Sequence, residues 1–188
     1  MKTTDNRLTR RDKDLLASLI GLELEAFTSD KIDPVRPMSF GIVALHAAGQ
    51  TYALRADIVA GEPYGEPEDV TQLSFRKANP ESICPVAIGT PQVKYPVNRL
   101  ITDIEVYEDT VDRFADGNVA SRYISTSAIV FKLAGTELVF ENQGWLDEVI
   151  DIHRGPGASR EIRTADSVIE DEDPEEFKAS REIISLGA

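Results

Sequence analysis

Seven short β-prone runs follow one another between Leu22 and His153, and this succession constrains the fold more than any other feature of the sequence. The runs are LELEAF, FGIVALHA, TYALRADIVA, VTQLSFRK, RLITDIEVYED, YISTSAIVFKL and ELVFEN, separated by turn-forming stretches such as NPES and ADGN. Strands joined in order by short turns pair with their chain neighbours, so we expect a mostly antiparallel sheet of about six to eight strands. The sequence leaves open whether this sheet closes into a barrel.

Two of the junctions between these runs are typical of β-hairpins. The stretch AIVFKLAGTELVF crosses from one run to the next at Ala134–Gly135, and GIVALHAAGQTYAL turns near Ala48–Gly49. The later stretch GWLDEVIDI is ambiguous, because the spacing of its apolar residues suits either a helix or a strand.

The sequence predicts a helix at about residues 9–20, ahead of the β-rich region at 22–153. Thr9 and Asp12 form an [ST]-x-x-[DE] capping box, and leucine and isoleucine residues then recur with helical spacing. Gly21 suits the position just after the last helical residue.

A second, short helix is predicted at about residues 174–186. Asp173 suits its N-cap, Pro174 its first helical position, and Glu176 completes a capping box. Negative charge at a helix N-terminus is favourable by about 0.3–1 kcal/mol, so these acidic residues have a local structural reason to be present. With one helix on each side of an antiparallel sheet, the predicted fold class is α+β.

The stretch Gly155, Pro156 and Gly157 interrupts the pattern after the last β-prone run, and we place a boundary there. Residues 1–157 are then a single α+β domain, which is an ordinary size for one hydrophobic core. Residues 158–188 form an acidic C-terminal extension that ends in the short helix.

The charge of the chain bears on its partners. The sequence has 33 acidic and 20 basic residues, a formal net charge of −13. This charge repels nucleic acids and anionic membranes, so we predict direct binding to neither and expect a basic protein surface as the partner. No apolar run approaches the roughly 20 residues of a membrane helix, and the N-terminus lacks the apolar region of a signal peptide. We therefore expect a cytoplasmic protein.

No known catalytic or metal-binding motif occurs in the sequence. Cys84 is the single cysteine, and we interpret it as a buried apolar residue because no nucleophile signature surrounds it. His46 and His153 are more than a hundred residues apart and have no metal-ligand spacing, so we predict neither a metal nor a cofactor. An enzyme that uses scattered carboxylates stays an alternative, since catalytic residues are often distant in sequence.

Three acidic segments are candidates for contact with a partner: the loop GEPYGEPED, the run TDIEVYED, and DSVIEDEDPEEF near the C-terminus. An exposed tyrosine among carboxylates suits recognition, and the acidic residues that precede the predicted helix cap have no local helical role. The predicted partner-binding residues are Asp166, Glu170, Asp171, Glu172, Tyr64, Glu62, Glu66, Glu68, Asp69, Asp103 and Glu105.

These observations favour a non-catalytic, acidic protein-binding module. A spaced array of carboxylates can imitate the phosphates of a duplex, so one form of this hypothesis is an inhibitor of a basic nucleic-acid-binding protein by DNA mimicry, of the anti-restriction or anti-CRISPR type. The alternatives are the small enzyme and a structural or assembly protein of phage or mobile-element type that oligomerises through a sheet edge. The sequence leaves the oligomeric state open.

Overall fold

The computed structural model describes residues 1–30, 37–63, 67–83, 90–144, 146–170 and 172–187. Within them lie eleven strands, one α-helix and three short 3₁₀-helices, at Pro80–Ser82, Ala158–Glu161 and Ala165–Ile169. The α-helix is α1 (Arg10–Ala17), and the strands are β1 (Lys2–Asn6), β2 (Glu23–Asp30), β3 (Met38–Phe40), β4 (Ile42–Ala47), β5 (Gln50–Gly61), β6 (Glu68–Lys77), β7 (Gln92–Ala115), β8 (Asn118–Leu133), β9 (Thr136–Gly144), β10 (Asp147–Gly155) and β11 (Phe177–Ser185).

The strands form one open sheet in the order β3-β10-β9-β8-β7-β2-β4-β5-β6, with β1 added to β8 and β11 added to β7. In the described part of the chain every pair is antiparallel except β1 with β8. The prediction of a mostly antiparallel sheet is confirmed. The predicted number of strands is too low, because the sequence patterns do not indicate β1, β3 and β11. The sheet is open rather than barrel-like.

The hairpin of β7 and β8 lies at the centre of the sheet, and each of its two strands pairs with two further strands. One edge of β7 pairs with β8, and the other pairs with β2 along Gln92–Leu100 and with β11 along Glu105–Arg113. In the same way β8 pairs with β9 along Ala128–Leu133 and with β1 along Ser121–Ser125. The turn between β7 and β8 is Asp116–Gly117, with φ of 52° and 75°, as a two-residue hairpin turn requires.

The concave face of the sheet encloses the main hydrophobic core. Gly41, at φ 75°, lets the chain cross from β3 to β4; its N–H donates to the Glu148 carbonyl and its carbonyl accepts from Ala56. These two bonds draw β10, near one end of the sheet, towards β5, near the other. Inside the curve, the Phe27 ring stacks on Tyr95 with 4.9 Å between ring centroids, and α1 contributes the fully buried Leu16.

The N-terminal helix forms as predicted but is shorter, ending at Ala17. The capping box is present: the Thr9 N–H donates to Asp12 at 3.0 Å, and the Asp12 N–H donates to the Thr9 hydroxyl at 3.2 Å. The other Asp12 carboxylate oxygen accepts the N–H of Phe75 at 3.2 Å. This one side chain therefore caps α1 and also attaches it to β6.

The predicted helix at about 174–186 is wrong, because most of these residues form β11. Asp173 does begin a turn, since its carboxylate accepts the Glu175 N–H at 2.9 Å. The chain then becomes extended, because β7 offers an edge for pairing and the isoleucines at 183–184 favour a strand. The short helical segment near the C-terminus lies earlier, at Ala165–Ile169.

The residues that directly follow position 157 pack on the convex face of the sheet. Ala158 and Ile162 are buried there in a second, smaller hydrophobic cluster, together with Tyr107 of β7, Val130 of β8 and Val139 of β9. We call residues 158–172 the covering segment; its position 171 lies outside the described residues. The covering segment and β11 together bring the acidic C-terminal part of the chain onto the sheet.

We expect Asp12→Ala to lower the free energy of unfolding by about 2–4 kcal/mol, because it removes the cap of α1 and leaves the buried Phe75 N–H unpaired. Asp14→Ala is the matched control on the same helix, since Asp14 is exposed and its one ion pair with a described residue is to Arg10 at 3.9 Å. Urea unfolding of both variants measures the difference, and equal losses would contradict the linking role of Asp12.

Candidate functional site

A groove lined by carboxylates lies between the Ala165–Ile169 helix and the start of β11. Its volume is about 650 Å³, and we call it the acidic groove. Its described lining residues are Thr164, Asp166, Ser167, Ile169, Glu170, Glu172, Pro174, Phe177, Lys178 and Ala179. The structure therefore brings together three of the predicted partner-binding residues, Asp166, Glu170 and Glu172.

The acidic groove concentrates negative charge. Glu170 and Glu172 are exposed, and neither they nor Asp166 forms an ion pair within the described part of the chain. The only cation among the described lining residues is Lys178, whose Nζ lies 5.1 Å from the centre of the Phe114 ring. A concave surface with one sign of charge focuses the electrostatic potential, which attracts cations.

One buried ion pair fixes β11 beneath the groove. Arg181 donates from Nε and Nη2 to the two oxygens of Asp109, at 2.6 and 2.7 Å, and the Asp109 side chain is only 4% exposed. A third bond runs from Arg181 Nη1 to the carbonyl oxygen of Arg163, at 2.6 Å. Arg181 thus joins β7, β11 and the covering segment, and its two parallel bonds to one carboxylate have the geometry of a strong ion pair.

A second buried carboxylate, Glu141 on β9, anchors the covering segment. Its Oε1 accepts the backbone N–H of Arg163 at 3.0 Å and the Nε–H at 3.1 Å, and its Oε2 lies 3.1 Å from His153 Nε2. The other ring nitrogen of His153 lies 3.2 Å from Glu161 Oε2. An imidazole donates from both nitrogens only when it is protonated, so this arrangement favours the cation.

The pKa values of this pair shift in the directions that the contacts require. Hydrogen bonding to Glu141 raises the pKa of His153 above its ordinary value, against the effect of burial, and the charge of Glu161 adds to the rise. Burial works to raise the pKa of Glu141, but the bonds from His153 and Arg163 outweigh it and hold that pKa below its usual range. Both shifts favour the charged pair.

We call Asp109, Glu141, His153, Arg163 and Arg181 the polar clamp. A cavity of about 30 Å³, the volume of one water molecule, is lined by four of its members, Asp109, Glu141, Arg163 and Arg181, and also by Thr71 of β6. This cavity shares Thr164 and Ser167 with the acidic groove. Thr71 of β6 therefore borders a cavity that adjoins the groove.

The predicted partner-binding residues on β7, Asp103 and Glu105, form internal contacts and lie away from the groove. Asp103 accepts bonds from the Gly187 N–H at 2.9 Å and from the Ser185 hydroxyl at 2.8 Å, which hold the far end of β11. Glu105 lies 3.1 Å from Lys132 Nζ. Ser185 is eight residues along β11 from Phe177, a separation of about 26 Å in a strand.

Of the predicted residues around the acidic loop, Glu62 has internal contacts, whereas Glu68 and Asp69 are exposed. Glu62 forms an ion pair with Lys2, and its carbonyl accepts the Thr4 hydroxyl at 3.1 Å. Glu68 and Asp69 are exposed at the start of β6 and form no ion pair with any described residue. Asp69 and Thr71 project from the same face of β6.

The remaining sequence predictions concern four residues that lie outside the described part of the chain and one histidine inside it. Tyr64, Glu66, Asp171 and Cys84 are outside it. His46 lies between two threonine hydroxyls, at 3.0 and 3.2 Å, and burial lowers its pKa. Within the described ranges no group of three or more histidine, cysteine or acidic side chains is arranged to hold a metal ion.

The sequence patterns did not predict the polar clamp. Its carboxylates lie in β-prone runs and its arginines lie in the acidic C-terminal part, so no local spacing connects them. The available signal was that Arg163 and Arg181 are basic residues within a strongly acidic region. Such residues are candidates for pairing with carboxylates buried elsewhere in the fold.

Comparison of the chain with protein-family models, with curated proteins and with solved structures gave no significant match. In the ranges that the structure describes, no helix has both the length and the apolar character needed to cross a bilayer. The function must therefore be argued from the geometry of the site.

We expect Arg181→Met to lower the free energy of unfolding by about 3–5 kcal/mol, because it leaves the buried charge of Asp109 without a partner. The double variant D109L/R181M should recover most of this loss, since two apolar side chains can replace a buried ion pair. Urea unfolding of the two single variants and the double variant tests the coupling. Additive losses would show that the pair does not act as a unit.

The polar clamp should also make stability depend on pH. The pKa of His153 is raised in the folded state, so its contribution is complete below the ordinary value of about 6.5 and is lost as the pH rises through the folded pKa. His153→Gln should remove this decline in the free energy of unfolding on the alkaline side of 6.5.

His46→Gln is the matched control for the pH dependence. The pKa of His46 is lowered, so its effect has the opposite sign: it destabilises the folded state as the pH falls below 6.5. Replacing His46 should therefore change the acidic side of the profile only. A His153→Gln profile that still declines like the wild type above pH 6.5 would contradict the pairing described for His153.

Proposed function

We propose that this protein is a non-catalytic, acidic binding module that engages a basic protein surface through the acidic groove. One observation carries the proposal: Asp166, Glu170 and Glu172 converge on a groove of about 650 Å³ and have no ion-pair partner within the described chain. By contrast, Asp103 and Glu105 on β7 are held by internal contacts.

The lining of the groove suits lysine or arginine side chains. Such side chains have an apolar stem and a charged head, and they bind well where apolar and acidic surfaces adjoin. Ile169, Pro174 and Phe177 supply apolar surface within the groove, and the three carboxylates supply acceptors for the head. An ammonium or guanidinium group from a partner would relieve the repulsion among these carboxylates.

The groove is also held in a fixed shape. Its two walls, the covering segment and β11, are joined by the bond from Arg181 to the Arg163 carbonyl, and both arginines are tied to buried carboxylates of the sheet. A surface that is ordered before binding loses less conformational entropy when a partner arrives, which favours affinity.

The finer proposal is that the basic surface is the nucleic-acid channel of a partner protein, which this chain blocks by DNA mimicry as anti-restriction or anti-CRISPR proteins do. The net charge of −13 supports it, as do Glu68 and Asp69, which are exposed at the start of β6 and form no ion pair with any described residue. Separate groups of carboxylates can meet lysines and arginines that are spaced to bind successive phosphates.

We expect E170K/E172K to abolish retention of basic proteins from a cell extract, whereas the wild type should retain them at about 50 mM salt and release them at about 500 mM. Retained proteins should lose duplex-DNA binding when the wild-type chain is added. This second measurement tests the finer proposal separately from the capture itself.

The variant E23K/E81K is the matched control, because it changes the net charge by the same amount at two exposed positions outside the groove. It should retain the same basic proteins as the wild type. Equal loss in both variants would mean that bulk charge and not the groove is responsible, and capture that is insensitive to salt would remove the electrostatic basis of the proposal.

A further inference from the structure

The backbone pattern of β11 leaves one of its edges without a strand partner. The Leu186 N–H donates to the Ile104 carbonyl at 2.9 Å, and the Phe114 N–H donates to the Glu176 carbonyl at 2.7 Å. Alternate residues of an antiparallel strand turn their backbone groups to the same side, so the even-numbered residues of β11 face β7. The odd-numbered residues face outwards.

The outward-facing residues in the middle of β11 are Ala179, Arg181 and Ile183. Their backbone groups form no backbone hydrogen bond on that side with any described residue. The Ile183 side chain is 53% exposed, one of the few large apolar side chains at the surface. An unpaired edge with exposed apolar surface is a template for another strand.

The edge of β6, at one end of the strand order, is protected, in contrast to the outer edge of β11. At the edge of β6, the Asp12 carboxylate accepts the Phe75 N–H at 3.2 Å, and the Thr71 hydroxyl donates to the Asp147 carbonyl at 3.0 Å. Natural sheets cover or interrupt their edges to prevent unwanted pairing. The outer edge of β11 has no such protection from the described backbone, which makes it a place for a partner strand.

We propose that β11 pairs with the β11 strand of a second copy of this chain, antiparallel about a two-fold axis at Ser180. In this register Lys178 lies opposite Glu182 of the second copy, and the contact occurs twice because of the symmetry. On the other face, Phe177 lies opposite Ile183, which covers the exposed isoleucine.

The charges select this register over its neighbours. Outward-facing residues must oppose each other, which places the axis at a residue and not between two residues; the positions at the centre of β11 and on either side of it are 180, 181 and 182. An axis at Arg181 sets that arginine against its own copy, and an axis at Glu182 sets two glutamates against each other. Only the axis at Ser180 pairs opposite charges, and Arg181 keeps its internal partner Asp109 in that arrangement.

This dimer would place both acidic grooves on one face. Two strands that continue a sheet about a two-fold axis present the same face to the same side. The groove borders Phe177, and Phe177 of the second copy would lie six residues further along the strands, about 20 Å away. A partner with two basic sites at this spacing could bind both grooves; the dimer itself does not depend on the proposed function.

The test is a charge-exchange cycle measured by sedimentation equilibrium over a range of protein concentrations. We expect Lys178→Glu and Glu182→Lys each to weaken dimerisation about tenfold or more, because two attractive pairs become repulsive, and K178E/E182K to restore it. The two single variants change net charge in opposite directions, so weakening in both excludes a bulk-charge effect. Both positions are exposed, and circular dichroism checks that the fold is kept.

A second measurement locates the contact. Amide hydrogen exchange at Ala179, Arg181 and Ile183 should slow as the protein concentration rises, since their N–H groups become paired. A wild-type chain that is monomeric at all concentrations, or a double variant that fails to recover, would overturn the proposal.

Discussion

The structure depends on the backbone pairing of β7. This strand has 24 residues, and its edge opposite β8 is longer than β2 can cover, since β2 pairs only as far as Leu100. Backbone N–H and C=O groups that leave water must find partners, so the second half of β7 needs another strand. β11 fills this place along Glu105–Arg113. The pairing requirement of one strand therefore brings the C-terminal part of the chain into the sheet.

The position of the covering segment on the sheet is determined by its contacts with buried charged side chains. Asp109 and Glu141 are both nearly inaccessible, and an ionised carboxylate in that position needs a cation and hydrogen bonds. Arg181 and Arg163 meet these needs, and the second of them is itself part of the covering segment. The positions of two arginines in an acidic stretch thus determine where the carboxylates of the groove are displayed.

Local interactions explain which elements were predictable from the sequence. The Thr9–Asp12 capping box and the Ala134–Gly135 hairpin depend on neighbouring residues, and both are present. The stretch from Asp173 to Glu176 also satisfies the local rules for a helix start, but the open edge of β7 stabilises a strand instead. Intrinsic propensity is outweighed there by a contact with residues more than 60 positions away, which no local pattern contains. The polar clamp could not be predicted for the same reason, because its residues lie far apart in the sequence.

The acidic residues show why net charge is an incomplete guide to a binding surface. Asp103 and Glu170 look alike in the sequence, yet Asp103 accepts two backbone N–H bonds and one hydroxyl bond, whereas Glu170 lies at an open groove. A carboxylate that already has its hydrogen bonds gains little from a partner's cation and would lose them by turning outwards. The residues that can recognise a partner are those that the fold leaves unpaired. In the described part of the chain, the carboxylates without an ion pair include those of the acidic groove and Glu68 and Asp69 at the start of β6.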